Sequence, residues 1–332
     1  MAILVTGIAG FIGFHVADAL AARGDTVIGI DDLNDYYQPQ LKRDRLAALA
    51  HRHGDRVRVI EADIAREDGL SEALAGVDVE RIVHLAAQAG VRHSIDKPRA
   101  YVRANLAGHL EVLEFARARR TAQLVYASSS SVYGGNEAMP FRVEDAVDHP
   151  VSLYAATKRA DELMGESYAH LYRLPQTGLR FFTVYGPWGR PDMALWLFTS
   201  AILERRPIKL FNGGDMLRDF TYVDDVVAGV IAALDRPPAD DGATKPGGSR
   251  APHAIYNIGN HRPERLGTLV TLIEEACGVQ AIRELLPMQP GDVPATYADV
   301  APIARDLGFS PTTALADGVP RFVDWYRGYT GA

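Results

Sequence analysis

Tyr154 and Lys158 stand four residues apart in the stretch Ser152-Leu-Tyr-Ala-Ala-Thr-Lys158. On a helix that spacing puts both on one face, one turn from each other. A lysine ammonium beside a phenol favours the phenolate, the form that can accept a proton. Tyr154 is therefore a candidate general base and Lys158 the cation that tunes it. Solvated Tyr/Lys pairs share this spacing, so the reading depends on what must bring other groups to the pair.

The start of the chain supplies one such element. Ala2-Ile-Leu-Val-Thr6 reads as a short buried strand, and a helical pattern runs through Val16, Ala19 and Leu20 to Gly24. Between them lie Gly7, Gly10, Phe11, Ile12 and Gly13. A strand, a glycine turn and a helix N-terminus make an anion site, because backbone amides and the helix dipole point at a pyrophosphate. The spacing is G-x-x-G-x-x-G. A second strand, Thr26 to Ile30, ends at Asp31, with Asp32 and Asn34 close behind. A carboxylate there accepts from an adenosine ribose and repels a 2′-phosphate. Asp31, followed by Asp32 and by no arginine, favours NAD over NADP.

The alternation continues. Arg56 to Ile60 is a third strand, followed by Asp63 and Ile64. Asp63 either meets an adenine amino group or caps a helix over 68–75. Glu80 to Leu85 is a fourth strand that runs into Ala86, Ala87 and Gln88, small enough for a flat cofactor to lie against Leu85 and its neighbours. A long helix follows from Pro98 to Arg120, with Asn105 as its polar exception, bonding either a nearby loop or the cofactor. Leu41 to His53 reads as a charged, solvated helix, with His51 and His53 in water. Ala122 to Ala127 is a fifth strand delivering Ser128-Ser-Ser-Ser131 to the rim where ligands of parallel sheets gather. Serine-rich turn chemistry is the plainer account of that run.

The fold expected is α/β, a Rossmann-type doubly wound parallel sheet with a smaller C-terminal α/β lobe. Residues 1–180 form the cofactor domain, with 221–235 returning to it; 181–332, including Tyr256 to Gly259, form mainly the substrate lobe. Residues 236–253 read as a mobile surface loop. The chain has 332 residues, 47% hydrophobic and 23% charged, with net charge −7. That composition suits an ordinary soluble globular protein, and the net charge argues against a nucleic-acid surface. No apolar run approaches a membrane span, the start lacks a signal-peptide pattern, and the single Cys277 sits in an apolar helical context. A cytoplasmic protein is expected. The histidines show no metal-ligand spacing.

Thr6-Gly7-x-x-Gly10-x-x-Gly13, Asp31, Asp63, the serine run and Tyr154-x-x-x-Lys158 together resemble an extended short-chain dehydrogenase/reductase of the NAD-dependent nucleotide-sugar epimerase and dehydratase group. Three phrases are similar to UDP-glucuronate 4-epimerases: Asp31-Asp-Leu-Asn-Asp-Tyr-Tyr37, His84-Leu-Ala-Ala-Gln-Ala-Gly-Val-Arg92 and Phe181-Phe-Thr-Val-Tyr-Gly-Pro-Trp-Gly-Arg-Pro-Asp-Met193. The resemblance implies transient oxidation at the sugar C4 by bound NAD, with Tyr154 as base, Lys158 on Tyr154 and the nicotinamide ribose, and a serine on the reacting hydroxyl. Ser129 fits best by spacing, with Ser128 and Ser130 open. Dehydratases place a threonine-aspartate-glutamate run here; Ser129-Ser-Ser131 contains no acid, which disfavours water elimination.

The resemblance further implies a UDP-sugar in the back half, with Phe211 beside the uracil and Arg218 on the diphosphate. Asp292 would bond the uridine ribose, while Gln289 stands where galactose epimerases carry an arginine. Thr183 and the serines offer neutral donors to a glucuronate carboxylate, and Arg190 a cation. It also implies a homodimer through the helices near 98–120 and 150–173. A neutral UDP-sugar epimerase is the nearest rival reading. A net dehydrogenase and a catalytically silent NAD-binding regulator are further ones.

Overall fold

The computed structural model describes residues 2–287 and 295–332. The first part contains β1 (Ala2–Thr6), α1 (Phe11–Arg23), β2 (Val27–Asp31), α2 (Pro39–His53), β3 (Val57–Glu61), α3 (Gly69–Ala73) and β4 (Val79–His84). Pro98–Tyr101, a π-helical stretch Val102–Ala107 and α4 (Gly108–Arg119) then follow without a break. Next come β5 (Gln123–Ser129), α5 (Leu153–Tyr172), β6 (Gln176–Phe181), β7 (Thr183–Tyr185), α6 (Ala194–Leu203), β8 (Ile208–Phe211), β9 (Leu217–Tyr222) and α7 (Val223–Asp235). The chain ends with β10 (His253–Ile258), β11 (Pro263–Arg265), α8 (Leu266–Cys277), β12 (Arg283–Leu286), β13 (Ala295–Thr296), α9 (Ala301–Leu307) and α10 (Leu315–Thr330).

Seven strands form one parallel sheet in the order β3-β2-β1-β4-β5-β6-β10. Every residue of β1 and β2 is buried, because helices cover both faces. Side chains alternate between those faces. Ile3 and Val5 pack with Phe14 and Leu20 of α1 and Val226 and Val230 of α7. Leu4, Ile28 and Ile82 pack on the other side with Val112 and Leu113 of α4. The α5 helix begins where the Ser152 hydroxyl accepts from the Ala155 amide at 3.1 Å, an N-cap that fixes where Tyr154 starts. The second lobe joins β7, β9, β11 and β13 in one small sheet and β8 with β12 in another. Its core is Leu210, Leu269, Val270, Phe322 and Val323.

Three expectations are corrected. Helix α2 is not merely a solvated face: Lys42 and Arg45 are buried. The Arg45 guanidinium donates to the Ala9 carbonyl at 2.8 Å, the Tyr37 hydroxyl at 2.7 Å and the Trp188 carbonyl at 2.6 Å. Those carbonyls replace the water the charge gives up. His53 is likewise not free in water; its Nε2 lies 2.7 Å from Asp18. Tyr256 to Ile258 lie in the seven-stranded sheet rather than the small lobe, paired with Leu179 to Phe181. The preceding loop is tied to α5, where the Ser249 hydroxyl donates to Glu166 at 3.0 Å.

Candidate active site

The glycine turn follows β1, where strand order reverses between β1 and β4. Gly7 has φ +73°, and a Cβ there would stand 2.7 Å from the Ala86 amide nitrogen. A Cβ on Gly13 would stand 2.0 Å from the Gly7 carbonyl oxygen. No side chain caps the first turn of α1, so its amides stay available to an anion. These features fit a dinucleotide pyrophosphate.

At the end of β2, Asp31 accepts from the Ala9 amide at 3.1 Å and the Leu33 amide at 2.9 Å, and lies 3.7 Å from Lys42 Nζ. Burial pushes its carboxyl above the ordinary range, with Lys42 and those amides pulling it back. Asp32 accepts from Asn34, and Asn34 from Lys42, so the turn is internally braced.

One cavity runs from this turn to the end of β5. It encloses about 1420 Å³ including its open mouth. Gly7, Gly10, Phe11, Ile12, Gly13, Asp31, Asp32, Asn34, Asp63, Ile64, Leu85, Ala86, Ala87 and Gln88 line one part of it. Ser128, Ser129, Tyr154, Lys158 and Arg190 line the other. Asp63 also bonds Arg103 and the Ala65 amide.

Other expected residues lie elsewhere. Asn105 does not line the cavity; it accepts from the Gln88 amide at 2.8 Å and donates to the Thr157 hydroxyl at 3.0 Å, bracing the wall from behind. Ser130 is also off the lining. Thr183 borders a small adjoining cavity that shares Phe11, Val184, Arg190 and Met193 with the large one. Phe211 and Arg218 lie outside both; the Arg92 guanidinium covers the Phe211 ring at 5.2 Å. Asp292 and Gln289 fall outside the described residues.

The serines divide by hydrogen bonding. Ser128 donates to Glu162 at 2.6 Å, turning its proton into the core. Ser129 Oγ accepts from the Ser131 amide at 3.1 Å, leaving its own proton to donate. Lys158 Nζ donates to the Ala127 carbonyl at 2.9 Å and to Asp161 at 3.0 Å, so the cation beside Tyr154 carries a buried counter-charge that the spacing did not reveal.

Sequence reasoning also missed a contact over the cavity. Arg190 grips Asp192 with both arms, at 3.0 and 2.6 Å, and Tyr36 donates to the same carboxylate at 3.0 Å. Burial opposes the charge on Asp192, yet Arg190 holds its carboxyl below the ordinary range. Burial and Asp192 push the Tyr36 phenol up to about 12. Tyr36 and Asp192 both lay within phrases already singled out; Lys42 gave no signal.

A profile described as "NAD dependent epimerase/dehydratase family" matches residues 3–259. The chain belongs to that family. A "Probable UDP-glucuronate 4-epimerase" of Rhizobium meliloti (strain 1021) is 46% identical, covering 98% of this chain and 97% of its own. A solved UDP-glucuronic acid 4-epimerase from Bacillus cereus, in complex with UDP-glucuronic acid and NAD, superposes with TM-score 0.88 at 33% identity, covering 99% of this chain and 100% of that one. A UDP-glucose 4-epimerase from Thermotoga maritima, solved with UDP-glucose, gives TM-score 0.86 at 29% identity and covers 99% of both chains. The extended short-chain dehydrogenase/reductase fold and the epimerase class expected of this family member are therefore correct.

Proposed function

We propose that this family member is a UDP-glucuronate 4-epimerase, interconverting UDP-glucuronate and UDP-galacturonate with NAD as a retained cofactor. The observation that carries the reading is a single cavity onto which the glycine turn, Asp31, Ser129, Tyr154, Lys158 and Arg190 all open. Its relatives, named above for that activity along nearly their whole length, support it.

Tyr154 takes the proton of the C4 hydroxyl and later returns it. Lys158 stabilises the phenolate and offers its remaining N–H to the cavity. Ser129 donates to the reacting oxygen and aligns it. NAD, when bound, would supply the acceptor and donor for the C4 hydride. Gly7, Gly10 and Gly13 would hold its pyrophosphate, and Asp31 its adenosine ribose.

Oxidation at C4 makes the sugar a β-keto acid, which loses carbon dioxide when its carboxylate bond aligns with the ketone. Thr183 and the serines hold that carboxylate out of alignment, and Arg190 helps control the intermediate. Phe211, Arg218 and Asp292 are the proposed uracil, diphosphate and uridine-ribose contacts.

The test incubates the protein with UDP-glucuronate and no added acceptor, and follows products by NMR. UDP-galacturonate with no net NADH supports the reading. A pentose product means decarboxylation, and turnover of UDP-glucose alone means a neutral-sugar epimerase; either outcome overturns it.

A homodimer packed through α4 and α5 belongs to the same proposal. Val102 of the π-helical stretch, Leu110 of α4 and Leu163, Leu171 and Tyr172 of α5 are exposed apolar side chains. Light scattering on the wild type and on Leu163→Glu tests it. A cytoplasmic location is proposed too, and cell fractionation tests that. Among the described residues, no helix is long and apolar enough to cross a membrane and no acid, histidine or cysteine cluster suits a metal.

A further inference from the structure

An ammonium has three N–H donors. The Ala127 carbonyl and Asp161 take two from Lys158, leaving one for the cavity. The Lys158 and Asp161 side chains are only 3% and 1% exposed. Burying a carboxylate there costs desolvation. The second Asp161 oxygen, Oδ1, is buried with no hydrogen-bond partner, so the residue is not held by a filled network. When ionised it also offsets the positive charge that favours a phenolate at Tyr154.

The other groups packed around this pair do not take over that offset. On α5, Glu162 is bound by Arg159 and by Arg180 of β6. His109 of α4 is kept neutral, held down to about 3 by burial first and then by the Lys158 charge. His84 of β4 is held well below its ordinary value by burial, His109 and Lys158. Tyr126 of β5 stays protonated, raised by burial and then by Glu162 and Asp161. Across the cavity, Arg190 is paired with Asp192. Asp161 is thus the direct ionic partner of Lys158.

We propose that Asp161 is a positioning residue for this reaction: it fixes the Lys158 ammonium and sets how much of that charge reaches Tyr154. The proposal rests on Tyr154 being the general base. Burial, opposed by Lys158, pushes the Asp161 carboxyl up to about 6. It is therefore ionised at neutral pH and offsets Lys158 there. In mild acid it takes a proton and releases the full cationic field.

Asp161→Asn in the NAD-loaded protein keeps the shape and removes the charge. The acid limb of the kcat/KM profile for C4 inversion is expected to move down by about one pH unit. Tyrosinate absorbance, read as the difference from the matching Tyr154→Phe protein, is expected to move the same way. Asp161→Glu, which keeps the charge, leaves both profiles near the wild type. If Asp161→Asn lowers kcat or Tm while both profiles stay in place, the residue is merely structural and the proposal is overturned. If wild-type and Tyr154→Phe spectra coincide across the titration, the general-base reading itself fails, and this proposal with it.

Discussion

Replacing Arg180 by methionine isolates the buried pair that anchors α5, the helix bearing Tyr154 and Lys158. Arg180 on β6 grips Glu162 on α5 with both arms, at 2.8 and 3.0 Å, and the two side chains are 2% and 1% exposed. Glu162 also accepts from Ser128 at 2.6 Å and Arg159 at 3.0 Å. Removing one partner of a buried pair costs about 3–5 kcal/mol, because the other charge stays buried. Ser128 and Arg159 remain in Arg180→Met, which places the loss near the lower end, about 3 kcal/mol. Unfolding entropy of about 2.1 cal/mol/K per residue gives roughly 0.7 kcal/mol/K over the 332 residues. The expected fall in Tm is therefore about 4 °C, measured by circular dichroism on NAD-saturated protein. The pH dependence has a definite sign. Burial alone would raise the Glu162 carboxyl, but Arg180, Ser128 and Arg159 hold it below the ordinary range. A depressed folded value contributes stability that is full above the unfolded glutamate value of about 4.3 and is lost as pH falls through the folded one. Arg180→Met should flatten that acid-side loss, and adding Glu162→Leu should recover part of the Tm, since no charge is then stranded. A single variant that melts with the wild type at neutral pH, with its acid dependence unchanged, would refute the reasoning.

Three further outcomes follow from the site. Asp31→Asn removes the charge facing a 2′-phosphate and frees Lys42, 3.7 Å away, to meet one; calorimetry on cofactor-free protein should show NADP binding tightened by about 10- to 100-fold. Tyr36→Phe deletes the 3.0 Å hydrogen bond to Asp192 that ties the strap after β2 to the loop after β7; NAD should leave about five- to tenfold faster in a fluorescence chase. Thr183→Val should weaken UDP-glucuronate binding more than UDP-glucose binding in a competition titration, and equal losses would remove Thr183 from carboxylate recognition.

Backbone demands were legible in the sequence because few residues can meet them. Only glycine fits where a Cβ on Gly13 would stand 2.0 Å from a carbonyl oxygen, and an i, i+4 pair on a helix must share a face. The alternation of strands with helices likewise announced the parallel sheet. Buried charge was not legible, because hydrophobic periodicity assigns every charged residue to water. The run Lys158-Arg159-Ala160-Asp161-Glu162 looks like a solvated turn of helix, yet Lys158, Asp161 and Glu162 are buried. What decides their burial is a counter-charge on the same helix for one pair and an arginine on the next strand for the other. Lys42 and Arg45 escaped notice for the same reason: Asp31 and the oxygens of Ala9, Tyr37, Trp188 and Gly189 meet them only after folding. The edge strand β10 was misplaced because the order of strands in a sheet is set by packing across it. A motif therefore points to candidate groups, while packing decides which neighbouring charges are buried against them. That is why the counter-charge on Lys158 emerged only with the packed helix, although Asp161 stands three residues from it.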